Sequence, residues 1–213
     1  MKKKLLLLSV LVISTNVFAE ENVTHIYGKL GLDYSKFINI KTDNGKTLKG
    51  NKGSGMSGFV EITKDITTNL ELGMGIGYIH HSREKAKNNS GVKKWRPPKY
   101  DTIPLYAVGK YNFDSFGELK PYIKTDLGIA FNQSGSSFEI EIDNPRVPNN
   151  DKISAKNGVY AGIGFGAEYN NVLMELSYHL TTSKIKGKDE NDKFEGNYAN
   201  RAITLAVGYK FDF

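Results

Sequence analysis

The stretch Ile203-Thr204-Leu205-Ala206-Val207-Gly208-Tyr209-Lys210-Phe211-Asp212-Phe213 decides the fold. Ile203, Leu205, Val207, Tyr209, Phe211 and Phe213 alternate with Thr204, Ala206, Gly208, Lys210 and Asp212, and a period of two sends the two sets to opposite faces of a β-strand. Chain ends are usually exposed and poorly ordered, so an unbroken apolar face there is ill suited to water. Lipid on that face accounts for it. Tyr209, Phe211 and Phe213 then fall where an interfacial aromatic girdle belongs, while Lys210 and Asp212 face a polar lumen.

Seven further segments share this division of faces. In the first, Ile26, Gly28, Leu30, Leu32 and Tyr34 oppose Tyr27, Lys29, Gly31, Asp33 and Ser35. Residues 55–63 form the second, with Val60 and Ile62 opposed to Phe59 and Glu61. Leu70, Leu72, Met74, Ile76 and Tyr78 oppose Glu71, Gly73, Gly75 and Gly77 in the third. The fourth, residues 101–111, is ambiguous: Tyr106 and Val108 compete with Ile103, Leu105 and Ala107, and Pro104 cannot donate to a ladder. Ile123 to Phe131 oppose Tyr122 to Ala130, Val159 to Ala167 oppose Tyr160 to Glu168, and Val172 to Leu180 oppose Glu175 to Thr181. Most segments have the length a tilted strand needs to cross a bilayer.

The connections alternate in length. Short links occupy residues 64–69, 112–119 and 169–171, and long polar ones 39–52, 80–99, 132–157 and 184–200. This is the pattern of short periplasmic turns and long extracellular loops, with both ends of the chain on the periplasmic side. A soluble up-and-down barrel also has one apolar face, but turns it inward. Here the other face carries Gly73-Gly75-Gly77 and Gly162-Gly164-Gly166. Such stripes make a weak exterior for a soluble strand; they suit a narrow lumen in which Tyr122 and Tyr160 need space.

Residues 1–19 read as a secretory signal peptide: Lys2, Lys3 and Lys4, a short apolar run from Leu5 to Ile13, and Val17-Phe18-Ala19 before the cleavage point. The run is too short for a transmembrane helix. The remaining residues, 20–213, amount to one domain. The 213-residue chain holds no cysteine, which removes disulfides, thiol nucleophiles and thiolate metal sites from consideration.

The stretches Pro121-Tyr122-Ile123-Lys124 through Gly128, Gly158 through Tyr169, and Gly208 to Phe213 resemble the small eight-stranded outer-membrane β-barrel superfamily, which includes OmpX, the OmpA transmembrane domain and the opacity proteins. The resemblance implies a bacterial outer-membrane location among lipid and lipopolysaccharide. It also implies recognition of Tyr209, Phe211 and Phe213 by the barrel assembly machinery.

Inward-facing charges are the first candidates for chemistry: Lys29, Asp33, Glu61, Glu71, Lys110, Lys124, Asp126, Glu168, Glu175, Arg201, Lys210 and Asp212. Eight strands enclose a bore that side chains can fill, so a paired polar plug is expected rather than an ion pathway. Glu175, Ser177 and His179 share a face and invite comparison with a hydrolytic triad. Ser precedes His and both point inward, however, whereas resemblance to outer-membrane lipid hydrolases would require His before Ser and facing lipid. The period-two glycines are not phosphate loops, which need a following helix. Adjacent His80 and His81 diverge on an extended backbone, so no metal or cofactor is expected.

The basic charge gathers on two outer links. Residues 39–52 carry Lys41, Lys46, Lys49 and Lys52 against Asp43; residues 80–99 carry Arg83, Lys85, Lys87, Lys93, Lys94, Arg96 and Lys99 against Glu84, around Trp95. One reading docks an anionic glycan or host surface protein here, with charge steering the encounter and Trp95 as an aromatic anchor. Its rival pairs the cations with lipopolysaccharide phosphates and places Trp95 in the upper girdle. Export argues against nucleic acid.

The expectation is therefore all-β: an eight-stranded antiparallel up-and-down transmembrane β-barrel, non-enzymatic, with an envelope-structural and surface-interaction role, adhesion included. A narrow pore or transporter for small solutes and an outer-membrane lipid hydrolase stand as alternatives.

Overall fold

Alternating residues give eight long strands, which the computed structural model joins edge to edge: β1 (Thr24–Phe37), β2 (Lys52–Asp65), β3 (Leu70–His81), β4 (Tyr100–Asn112), β5 (Leu119–Ser134), β6 (Gly158–Tyr169), β7 (Val172–Lys188) and β8 (Lys193–Asp212). Each pairs antiparallel with its sequence neighbours, and β8 returns to β1, so the sheet closes into a barrel with no free edge. The structure describes residues 23–37, 40–41, 47–48, 52–81, 94–96, 100–134, 139–141, 154–188 and 193–213; the expected signal peptide lies outside them. Among the described residues strands are the only extended regular structure.

Tight turns join the strands at one end. Asn170 and Asn171 both have positive φ (47° and 69°), as a two-residue type I′ hairpin requires. Gly117, at φ +64°, opens the turn between β4 and β5, where Phe116 and Leu119 exchange backbone hydrogen bonds of 2.9 and 3.3 Å. At the same end Thr24 and Phe213 exchange bonds of 3.0 and 2.9 Å, fastening the β1–β8 seam.

The outer wall is apolar. Leu30 is 76 % exposed, and Leu32, Val60, Met74, Ile76, Leu105, Leu127, Ile163, Leu176, Leu205 and Val207 are exposed with it. A band of this extent is stable only against lipid. Tyr111, Phe113, Phe116, Tyr169, Tyr209, Phe211 and Phe213 ring it near the tight turns; Tyr34, Tyr78, Phe131 and Tyr178 mark its other margin.

Two sequence expectations change, and one ambiguity is resolved. Within the span 184–200, residues 184–188 and 193–200 are strand and not loop: β7 and β8 continue as a ladder to the pair Lys188↔Lys193, because a twisted ladder can extend beyond the bilayer. Arg201 does not face the lumen. It shares its parity with Ile203 and is exposed, two residues beyond the row Tyr34↔Ile203↔Tyr178, where a cation can reach headgroups. The ambiguous β4 turns Thr102, Pro104, Tyr106, Val108, Lys110 and Asn112 inward. Its pairing with β3 lapses between Ile76↔Leu105 and Ile79↔Thr102, where Pro104 lacks an N–H, yet the register is kept.

Candidate functional site

The lumen is filled in layers. Nearest the tight turns, Glu71 accepts from Tyr27 Oη (2.9 Å), Thr63 Oγ1 (2.7 Å), Asn112 Nδ2 (2.7 Å) and Lys110 Nζ (3.1 Å). Lys110 also pairs with Glu168 and stands over the rings of Tyr27 and Tyr122, 4.5 and 4.6 Å from their centroids. Lys210 reaches Glu168 at 3.2 Å and Asp212 at 3.6 Å. His25 completes this rim, with Nε2 3.2 Å from Asp65 and Nδ1 2.6 Å from Asp212.

The middle layer is built on two lysines. Lys29 Nζ lies 2.7 Å from Glu61 and 3.2 Å from Glu175. Lys124 Nζ lies 2.6 Å from Glu61, 3.1 Å from Asp126 and 3.5 Å from Glu175. Tyr106 and Tyr122 donate to Glu61 (2.9 Å) and Glu175 (3.0 Å), occupying further carboxylate lone pairs. All of these ionic side chains are buried. Buried charges persist only when paired and hydrogen-bonded; all of these are paired, and all but Asp126, whose oxygens have only the Lys124 ion pair, are hydrogen-bonded as well.

Above the lysines lies an aromatic layer. His179 is stacked between Phe59 and Tyr160, with ring centroids 5.7 and 5.4 Å away. Its Nε2 is 2.8 Å from Ser177 Oγ and its Nδ1 2.7 Å from Tyr160 Oη. The Ser–His contact of a hydrolytic pair therefore exists, but Glu175 is held by Lys29, Lys124 and Tyr122, and Tyr160 occupies the orienting position. Both members are buried among lumen side chains and face away from lipid. His80, singled out as half of a histidine pair, bonds Asp101 through Nδ1 at 2.8 Å.

Sequence reasoning assigned no role to His25 and left Asp33 as one inward charge among many. Asp33 Oδ1 accepts from Ser57 Oγ (2.9 Å) and Thr204 Oγ1 (2.6 Å), whereas Oδ2 has no hydrogen-bond partner. Parity alone could place both residues inside; only the closed ring could show what they meet.

The family described as outer membrane protein beta-barrel domain matches residues 5–211. The chain belongs to that family. It is 33 % identical over 231 aligned residues, covering 98 % of each chain, to the uncharacterized protein PM1543 of Pasteurella multocida strain Pm70. Among solved structures, the outer membrane protein OprG from Pseudomonas aeruginosa is similar at a TM-score of 0.51 and 13 % identity, over 92 % of this chain and 98 % of that one. The outer membrane protein AlkL in DMPC bilayers is similar at 0.51 and 12 %, over 92 % of each. At these identities the likeness concerns the fold. This outer-membrane barrel protein thus resides in the bacterial outer membrane, with its tight turns toward the periplasm and its long links outward.

At the outer end of the family barrel, Lys94–Arg96 forms a short ladder with Glu139–Glu141. The register sets Lys94 opposite Glu141, Trp95 opposite Ile140 and Arg96 opposite Glu139. The backbone of one link thus lies beside that of the next. Arg83, Lys85, Lys87, Lys93 and Lys99 lie outside the described residues.

Proposed function

We propose that this protein is a non-conducting, non-catalytic outer-membrane barrel that stabilises the envelope and presents its outer links for surface interaction. The observation that carries this reading is the two-lysine layer. Glu61, Glu175 and Asp126 around Lys29 and Lys124 occupy the bore at mid-height, and the His179 stack lies above them. An eight-stranded barrel has little room beyond what its side chains occupy. Function then rests with the outer links.

The interaction we infer is with anionic surfaces: lipopolysaccharide phosphates, sulfated or carboxylated glycans, or an acidic host protein. The concentration of Arg83, Lys85, Lys87, Lys93, Lys94, Arg96 and Lys99 around Trp95 supports it. Replacing Lys93, Lys94, Trp95 and Arg96 together by Ser should weaken salt-sensitive binding of intact cells to heparin-like glycan or anionic matrix. Unchanged binding sinks the adhesive reading. Discrete conductance steps from wild-type protein in planar bilayers would instead support a pore. The 2.8 Å Ser177–His179 contact gives a hydrolase one specific observation in its favour. That reading requires lipid turnover which disappears in Ser177→Ala and His179→Ala.

A further inference from the structure

We propose that Asp33 anchors a site for a small monovalent metal cation, sodium-sized, reached from the outer mouth of the barrel. Asp33 is 4 % exposed, and no Lys, Arg or His among the described residues forms an ion pair with it. Lys29, four residues below on β1, is committed to Glu61 and Glu175. Asp33 thus differs from the other buried acids of the lumen, each of which has a lysine. One oxygen is satisfied by the hydroxyls of Ser57 and Thr204; the other, Oδ2, is buried without a donor. A buried carboxylate in this condition is completed by a cation, a water or a proton.

The surroundings select among these. Asp33 lines a crevice shared with His179 and Thr181 of β7, Asn200, Ala202 and Thr204 of β8 and Ile79 of β3, whose higher members lie toward the outer end. The polar groups offered are a carboxylate, hydroxyls and an amide. His179 contributes no ligand nitrogen, since Tyr160 and Ser177 engage both its ring nitrogens. An oxygen-only set suits a hard cation. A single carboxylate balances one positive charge, and a second would be uncompensated in a low-dielectric bore. The crevice is narrow, which excludes hydrated and organic cations. The His179 stack and the lysine layer close it from the periplasm, so exchange is with the cell exterior.

The test uses the full chain refolded in detergent and freed of salt. Sodium chloride is titrated at constant ionic strength made up with choline chloride, reading ²³Na line broadening and the unfolding midpoint. Saturable broadening and a raised midpoint are expected in the wild type. Both should vanish in Asp33→Asn, which keeps an acceptor for Ser57 and Thr204. Thr181→Val, which leaves the carboxylate in place, should weaken sodium binding roughly tenfold, and it serves if Asp33→Asn does not fold. No sodium-specific response, or one equal in wild type and Asp33→Asn, overturns the proposal and leaves Oδ2 to a water or a proton. A stronger response to calcium chloride overturns the assigned ion class.

Discussion

Gly75 and Tyr106 face each other across the β3–β4 ladder, and a Cβ on Gly75 would lie against the Tyr106 ring edge and hydroxyl. The glycine is a socket for the phenol, which passes over Gly75 along the inner wall to reach Glu61 on β2. Gly75→Val should cost about 1–3 kcal/mol through overpacking. Combined with Tyr106→Ala, it should cost clearly less than the sum of the single changes. Urea unfolding in detergent measures the coupling; additivity within error would show that the two residues are not engaged.

Lys124 pairs with three carboxylates, more than any other lumen cation among the described residues, and its loss strands them. Lys124→Met should destabilise the barrel by about 3–5 kcal/mol, the range for breaking a buried ion pair. Lys210→Met, at the half-buried periplasmic rim, should cost no more than about 1 kcal/mol. Equal effects in heat-modifiability and unfolding assays would contradict the layered description.

On the outer wall, Leu30 lies midway along β1. Leu30→Arg should reduce folding stability in vesicles by about 2–4 kcal/mol, whereas Tyr34→Arg, at the girdle, should cost about 0–1 kcal/mol. A reversed order would misplace the bilayer.

Phe213 combines a backbone role that is shown with a side-chain role that can be tested separately. Its backbone bonds Thr24 and closes the seam, while its side chain is exposed. Phe213→Ala preserves the first role. If the aromatic is an assembly signal, the variant should refold normally in detergent yet accumulate less in the outer membranes of cells. Normal cellular assembly would remove that role.

The alternation that exposes Ile203 and Leu205 and buries Thr204 and Ala206 is local, and it was legible from the chain alone. The face of β4 was not. An aromatic filling a bore and an aromatic meeting lipid have the same residue type, and Tyr106 goes inside because Gly75 makes room for it. Parity could list the lumen charges but could not pair them: Lys124 and Glu61 are 63 positions apart. Asp33 depends on Thr204, 171 positions away. Arg201, counted among the inward charges, has the parity of Ile203, and an error of one residue reverses a face. The register of Lys94 with Glu141 joins two outer links and left no periodic trace.

The β1–β8 seam joins His25 to Asp212 across 187 positions. Hairpins between consecutive strands can form as soon as both arms exist, whereas the ring waits for its last member. Until β8 arrives, β1 keeps an unpaired edge able to template a wrong partner. Joining such distant segments is also the slow kind of contact to make. Closure of the seam is therefore the most non-local step that this topology demands. Before it, every strand is provisional.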